Sequence, residues 1–273
     1  MERTIKELLG KRGISLVAPL SLAHATVTRP YLLTRHGIEE GTAFIFAVPY
    51  YTTSCDDPAR NISIYAVSRD YHRFFATLFE EILPVLRDTF KGNRFVGFTD
   101  HSPIAEAEAA VKAGLGCFGC NHLFLTKEHS SFVFLGEIVT DAVLPTTPHE
   151  ITVCDACGAC RRACPVSLDV SRCLSALTQK KGELNEEEQA ALCAHPLVWG
   201  CDTCQTACPV TKAAKASGTL YTTIPYFKEQ AISHLRAEDI RAMSDEEFAA
   251  RAYSWRGRNV ILRNLNLKQK GEP

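Results

Sequence analysis

CDACGACRRACP, Cys154–Pro165, sets four cysteines at intervals of two, two and three residues and closes on a proline. An iron–sulfide cubane needs four thiolates around one small body. Two-residue gaps in a tight turn aim three sulfurs inward together, and the fourth leaves with the chain to serve a second cluster, as in two-cluster ferredoxins. A second block, CDTCQTACP, brings Cys201, Cys204 and Cys208 before Pro209, and Cys173 lies between the blocks. The spacing assigns Cys154, Cys157, Cys160 and Cys208 to one 4Fe–4S cluster, and Cys164, Cys173, Cys201 and Cys204 to another. A pair of zinc sites is the competing reading. Zinc favours C-x2-C pairs separated by longer gaps, and C-x2-C-x2-C-x3-C-P fits it poorly.

The other cysteines are less patterned. Cys193 sits in an acidic-start helix without a spacing partner, which is the pattern of a buried structural thiol, and Cys55 is a lone loop cysteine. CFGC, Cys117–Cys120, follows GLG and precedes a strand; it is either a dithiol with redox or metal chemistry or part of a glycine-rich turn. Twelve cysteines in 273 residues do not make a disulfide framework here. Such frameworks belong to short secreted chains, and MERTIKELLGKRG has neither the apolar core nor the cleavage pattern of an export signal. A cytoplasmic location is the expectation. The longest apolar run, AFIFAVPYY (Ala43–Tyr51), is far short of the roughly 18 residues that span a bilayer, so no membrane partner is expected. Hydrophobic residues are 46% and charged residues 22%, and the net charge is −1. That balance lacks the basic excess common in nucleic-acid binders. SWRGRNVILRN (Ser254–Asn264) is a local basic patch that either meets phosphate or is an ordinary helix end.

Along the chain, Thr4–Lys11 is predicted as a helix, and ISLVAPL and Ala43–Val48 as strands. RDYHRFFATLFEEILPVLRDTF spaces its apolar residues as a helix, with Pro84 expected to kink or break it. Arg94–Phe98 is a predicted strand. Ser102–Pro103 looks like an N-cap and first helical position, with Gly114 as the stop. His122–Thr126 and Ser131–Thr140, flanking KEHS, are expected to form a β-hairpin. Leu144–Glu150 has linker composition. Asn185 and Ser244 open N-capped helices, the latter with Glu247 completing a capping box. Strands mixed with helices predict a layered α/β domain over 1–145, a double-cluster ferredoxin-like domain over 146–215 and a helical tail over 216–273.

Several stretches in order, YAVSRDYH (Tyr65–His72), TDHSPIAE (Thr99–Glu106), AGLGCFGCN (Ala113–Asn121), SSFVFLGEIVTD (Ser130–Asp141), the first cysteine block, SRCLSALTQKKG (Ser171–Gly182), GCDTCQTACP (Gly200–Pro209) and SWRGRNVILRN, resemble the epoxyqueuosine reductases, cobalamin-dependent iron–sulfur enzymes of tRNA queuosine biosynthesis. The resemblance implies an α/β (α+β) layered corrinoid-binding-like domain followed by a ferredoxin-like double 4Fe–4S domain. It also implies bound cobalamin, an electron donor of flavodoxin or ferredoxin type and, with it, tRNA as substrate. Asp100, in the D-x-x-P segment, matches the family's proposed proton donor, a role that calls for a carboxyl kept protonated by burial. Gly116, Cys117, Gly119, Cys120, Asn121 and Ser131 match segments that line the corrinoid. No D-H-x-x-G cobalt-ligation motif is present. The chain departs from the family at Cys117 and Cys120, where an aromatic residue and a lysine are usual, and in lacking the C-terminal helical repeats. Those departures leave a second reading, a ferredoxin-type electron carrier without corrinoid, and a third, an oxygen-reporting sensor.

Overall fold

The computed structural model describes residues 1–271. Its first half is built around a four-stranded antiparallel sheet in the order β1-β2-β6-β3, from β1 (Leu16–Ser21), β2 (Thr42–Pro49), β3 (Phe95–Phe98) and β6 (Val133–Thr140). Two further strands, β4 (Cys117–Phe118) and β5 (Phe124–Leu125), form a separate two-stranded sheet. Every residue of β2 is buried, as its unbroken apolar run dictates for a central strand covered on both faces. The helices here are α1 (Glu2–Gly10), α2 (Pro30–Thr34), α3 (Tyr71–Thr89) and α4 (Glu106–Lys112).

α3 buries Phe74, Phe75, Leu78, Ile82, Leu83 and Leu86 and runs unbroken through Pro84. Proline removes one helical hydrogen bond; burial of an apolar stripe this long, at ~1.5–3 kcal/mol per large side chain, outweighs that loss. The expected break is therefore absent. The sheet receives α3 closely because β6 and β3 each carry a glycine where a Cβ would strike a ring: Gly136 faces Phe75 and Phe46, and Gly97 faces Phe79. α4 packs on β6, β2 and β1, over a core that includes Ile45, Ala47, Ile104, Ala110 and Val139.

Two more expectations are corrected. The hairpin around KEHS is reduced to a single bridge between Thr126 and Ser130. Beyond it the two strands part, β5 to β4 and β6 to β2 and β3, because β6 gains far more pairing in the central sheet. The helix after Ser102–Pro103 begins only at Glu106, with Ala105 at its N-cap; the Ser102 hydroxyl is engaged elsewhere.

From Gly158 on, the described residues form helices and turns: α5 (Ala159–Ala163), α6 (Leu174–Thr178), α7 (Glu186–Ala194), α8 (Thr203–Thr206), α9 (Pro209–Ser217), α10 (Pro225–Lys228), α11 (Ala237–Ala242), α12 (Asp245–Ala249) and α13 (Arg258–Gly271). The expected N-cap at Asn185 and the expected capping box at Ser244 are present, and Asn185 forms a capping box as well. Asn185 Oδ1 accepts from Glu188 N–H, and Ser244 Oγ accepts from Glu247 N–H. The chain divides into two compact units, each discontinuous in sequence: Met1–Pro49, His72–Cys157 and Ala214–Ile224 form the first, and Tyr50–Tyr71, Gly158–Ala213 and the chain from Pro225 form the second. No described helix is long and apolar enough to cross a membrane.

Candidate functional site

Asp100 ends the turn after β3 with φ 59°, a left-handed conformation that Asp tolerates better than most residues. The turn is pinned on several sides. Thr99 Oγ1 donates to Leu135 O at 2.8 Å, Arg29 donates to Ser102 O at 3.0 Å, and Ala105 N–H donates to Thr26 O at 2.9 Å. Asp100 N–H donates to Glu106 Oε1 at 2.9 Å, and its carboxyl lies 3.1 Å from His72 Nε2. The carboxyl is exposed, at 54% of its side-chain surface, not buried as a protonated donor was expected to be.

The buried acids stand behind it. Glu137, in the middle of β6, is wholly buried. Its Oε1 accepts from Ser102 Oγ, while its Oε2 is buried with no hydrogen-bond partner of ordinary geometry. Ser102 Oγ also accepts from Ile104 N–H at 3.0 Å, which is what occupies the hydroxyl expected to cap a helix. Burial pushes the Glu137 carboxyl well above the usual range, and the neighbouring Glu106 pushes it further. Glu106 is raised to about 7, first by burial and next by the charge of Asp100, with Arg29 opposing. Two carboxyls side by side in a desolvated corner cannot both ionise cheaply, so they hold a proton between them near neutrality. Asp100 thus presents its own acid to solvent beside an imidazole, and is fixed at its amide by a second, proton-holding acid. Sequence reasoning missed Glu106 and Glu137. The available signal was a carboxylate inside the uninterrupted apolar strand FVFLGEIV, where an unpaired charge is not tolerated.

The residues matched to a corrinoid lie around β4 and β5. A Cβ on Gly116 would strike Leu125 O and the Phe124 ring, and one on Gly119 would meet Asn121 Oδ1 and Leu125. Both glycines are therefore required by the close approach of the protein's own strands. Asn121 Oδ1 also accepts from Leu123 N–H at 3.4 Å, and Ser131 is buried. Cys117 pairs with Leu125 across β4 and β5, and Cys120 follows in the turn. All but Ser131 share one small hairpin, but the two glycines face protein atoms and leave no cradle for a macrocycle on those sides.

In the first cysteine block, Ala156 and Gly158 take left-handed φ values of 51° and 76°, so the chain reverses sharply between Cys154 and Cys160. Cys160 lies in α5, and Cys164 N–H donates to Cys160 O at the end of that helix. α5 packs against α8, which carries Cys204 and is flanked by Cys201 and Cys208. Cys173 stands at the N-cap of α6. All eight assigned cysteines are unbridged, and each is at least partly accessible. Among the described residues, no three His, Cys, Asp or Glu side chains converge closely enough to hold a single metal ion. The donor set is thiols on or beside short helices, with left-handed turns in the first block.

The second block rests on a buried polar scaffold. Asp202 is 3% exposed and is bonded by Arg60 at 2.8 Å and by Ile64 N–H at 3.0 Å, with Ser63 Oγ on its other oxygen. Burial raises the Asp202 carboxyl, and Arg60 offsets part of the rise. Gly200 N–H donates to Thr178 Oγ1 and Gly200 O bonds His195 Nε2. Cys201 and Cys204 are thereby held on both sides of a fixed residue. Cys193 is exposed, not buried: α7 turns its Leu192 inward and the thiol outward. Cys55 is buried and accepts from Thr52 N–H. In the basic tail, Arg258 bonds the carbonyls of Ile240, Met243 and Ser244, and Arg263 bonds those of Lys180 and Gly182; these two are structural. Arg256 instead lies over the exposed Trp255 ring, 3.8 Å from its centroid.

No family model matches the chain. It is 31% identical over 208 residues to the epoxyqueuosine reductase of Gloeobacter violaceus, across 72% of this chain and 65% of that protein. It is 29% identical over 272 residues to that of Listeria monocytogenes, across 96% of this chain and 65% of that protein. A crystal structure of an epoxyqueuosine reductase with an epoxyqueuosine-modified tRNA stem loop superposes on it with a TM-score of 0.76 at 25% identity, over 99% of this chain and 80% of that one. The chain spans about 65% of the length of the two curated relatives.

Proposed function

We propose that the chain is an epoxyqueuosine reductase-like protein over the length it shares with those relatives, an iron–sulfur oxidoreductase that reductively removes an epoxide oxygen. Its substrate is epoxyqueuosine in tRNA or a related epoxide. The observation that carries this reading is the likeness in order and fold across nearly the whole chain.

Removing an epoxide oxygen takes two electrons and protons. Cys154, Cys157, Cys160 and Cys208 would hold one 4Fe–4S cluster, and Cys164, Cys173, Cys201 and Cys204 the other. Such clusters pass electrons singly at potentials set by their surroundings, and a reduced donor of flavodoxin or ferredoxin type would refill them. Asp100 would protonate the departing oxygen; the 3.1 Å approach of His72 Nε2 to its carboxyl supports that role, although the carboxyl is exposed. Glu106 keeps the Asp100 turn in place through the amide bond described above. Cobalamin is proposed from the family likeness; when bound it supplies two-electron chemistry at cobalt.

The packing of Gly116 and Gly119 against β5, with cysteines at positions 117 and 120, favours a second reading, an electron carrier that binds no corrinoid. An anaerobic titration of the iron-loaded chain with cob(II)alamin, followed by electron paramagnetic resonance, separates the two. A cobalt signal that changes and saturates at one per chain supports the reductase, and conversion of epoxyqueuosine-bearing tRNA by the same sample then tests the substrate. Free cobalamin beside intact clusters leaves the carrier.

A further inference from the structure

Away from the acids behind Asp100, the first unit brings two thiols together. The Sγ atoms of Cys120 and Cys154 are 3.8 Å apart. Backbone pairing sets this approach. Phe118 N–H donates to Thr152 O at 2.9 Å and Cys154 N–H donates to Phe118 O at 2.8 Å, a parallel bridge between Phe118 and Val153. On the other side, Gly119 N–H donates to Leu123 O at 2.8 Å and His122 N–H to Gly119 O at 2.9 Å, closing the turn that carries Cys120. Both thiols are partly accessible, so a small reagent can reach them. A disulfide needs sulfurs about 2.05 Å apart, and side-chain rotation can close the remaining gap.

We infer that Cys120 and Cys154 form a thiol–disulfide modification site, oxidised by a low-molecular-weight disulfide whenever Cys154 carries no iron. The Cys154 thiolate attacks one sulfur of the reagent, whose S–S bond breaks and releases a first thiol. Cys120 then attacks the Cys154 sulfur of the mixed disulfide and expels the second thiol. Two electrons pass from the cysteine sulfurs to the reagent, and the two cysteine protons end on the two departing thiols. A bridged Cys154 is no longer an iron ligand, so the bridge and the first cluster exclude each other. The bridge stands independently of the proposed activity; its exclusion by iron rests on the cluster reading.

The test uses the full chain, prepared without iron and incubated anaerobically with oxidised glutathione, then alkylated and digested without reduction. The expected main bridged product is the peptide pair joined through Cys120 and Cys154. Cys117→Ser retains it; Cys120→Ser abolishes it and leaves Cys154 glutathionylated. Iron and sulfide loading before oxidation is expected to suppress the joined pair severalfold. A chain that forms the bridge but takes up no iron upholds the site and sinks the cluster reading. Bridges scattered among Cys154, Cys157 and Cys160, with Cys120 left to the alkylating agent, overturn the inference. So does a Cys120→Ser chain that binds less iron than the unsubstituted chain, since Cys120 would then be an iron ligand.

Discussion

The acids behind Asp100 and the two cysteine blocks manage polarity in opposite ways. Glu137 is wholly buried with one oxygen unbonded, and Glu106 beside it is held at about 7 by burial and the charge of Asp100. The assigned cysteines instead remain partly accessible and unbridged, on short helices whose register is set from beneath by groups such as Asp202. The first region is finished by the protein alone, with a proton as its filling. The second presents thiols that, on the proposed reading, clusters would complete. A site completed by folding should report on protein stability and pH; a site completed by a ligand should report on loading.

Four measurements press on that contrast. The largest effect is expected from Cys204→Ser, which removes one ligand of the second assigned cluster. Iron and acid-labile sulfide should fall by about half if each cluster needs its four thiolates, while the fold measured by circular dichroism persists. Unchanged iron would break the assignment. Next, Asp202→Ala strips the partner from Arg60 and is expected to cost about 3–5 kcal/mol, the usual penalty for breaking a buried pair, read from the urea midpoint. A cost under 1 kcal/mol would mean the pair does not brace the second block.

The third is a slope with pH. Glu106 is raised on folding, so the native chain binds more protons than the unfolded one between the ordinary carboxyl range and about 7. Its contribution is therefore fully present below about pH 4.3 and is lost as pH rises through about 7. Glu106→Gln should flatten that part of the stability profile, and a profile equal to the unsubstituted chain's would dissolve the paired-acid picture. The smallest effect is expected from Asn185→Ala, about 1 kcal/mol for a lost cap, which calibrates how much of the second unit rests on local signals.

The two regions also differ in how far the sequence discloses them. The cysteines proposed as ligands sit a few residues apart, as a small cluster would require, so their pattern survives in one dimension. The N-cap at Asn185 and the capping box at Ser244 are legible for the same reason. Glu106 and Glu137 meet only because α4 packs on β6, and no local spacing records that. Ser102–Pro103 misled because a hydroxyl near a helix start usually caps it, whereas here a buried carboxylate on another strand competes for the same group. Pro84 does not end its helix because local propensity yields to an extensive apolar face. Cys193 misled because a helix with one inward leucine can still turn its thiol out.

The discontinuity of the two units has a consequence for synthesis. Leu220 and Ile224 are buried, and Thr219 Oγ1 donates to Glu128 O at 2.9 Å, so the unit that begins at Met1 is closed by a segment near residue 220. Every cysteine, down to Cys208, leaves the ribosome before that segment does. Chains rich in such distant contacts fold slowly, and their partly built forms stay exposed. The nascent protein therefore displays all twelve thiols while neither unit is complete, and on the proposed cluster reading the interval before closure is when iron delivery and adventitious oxidation would compete for them.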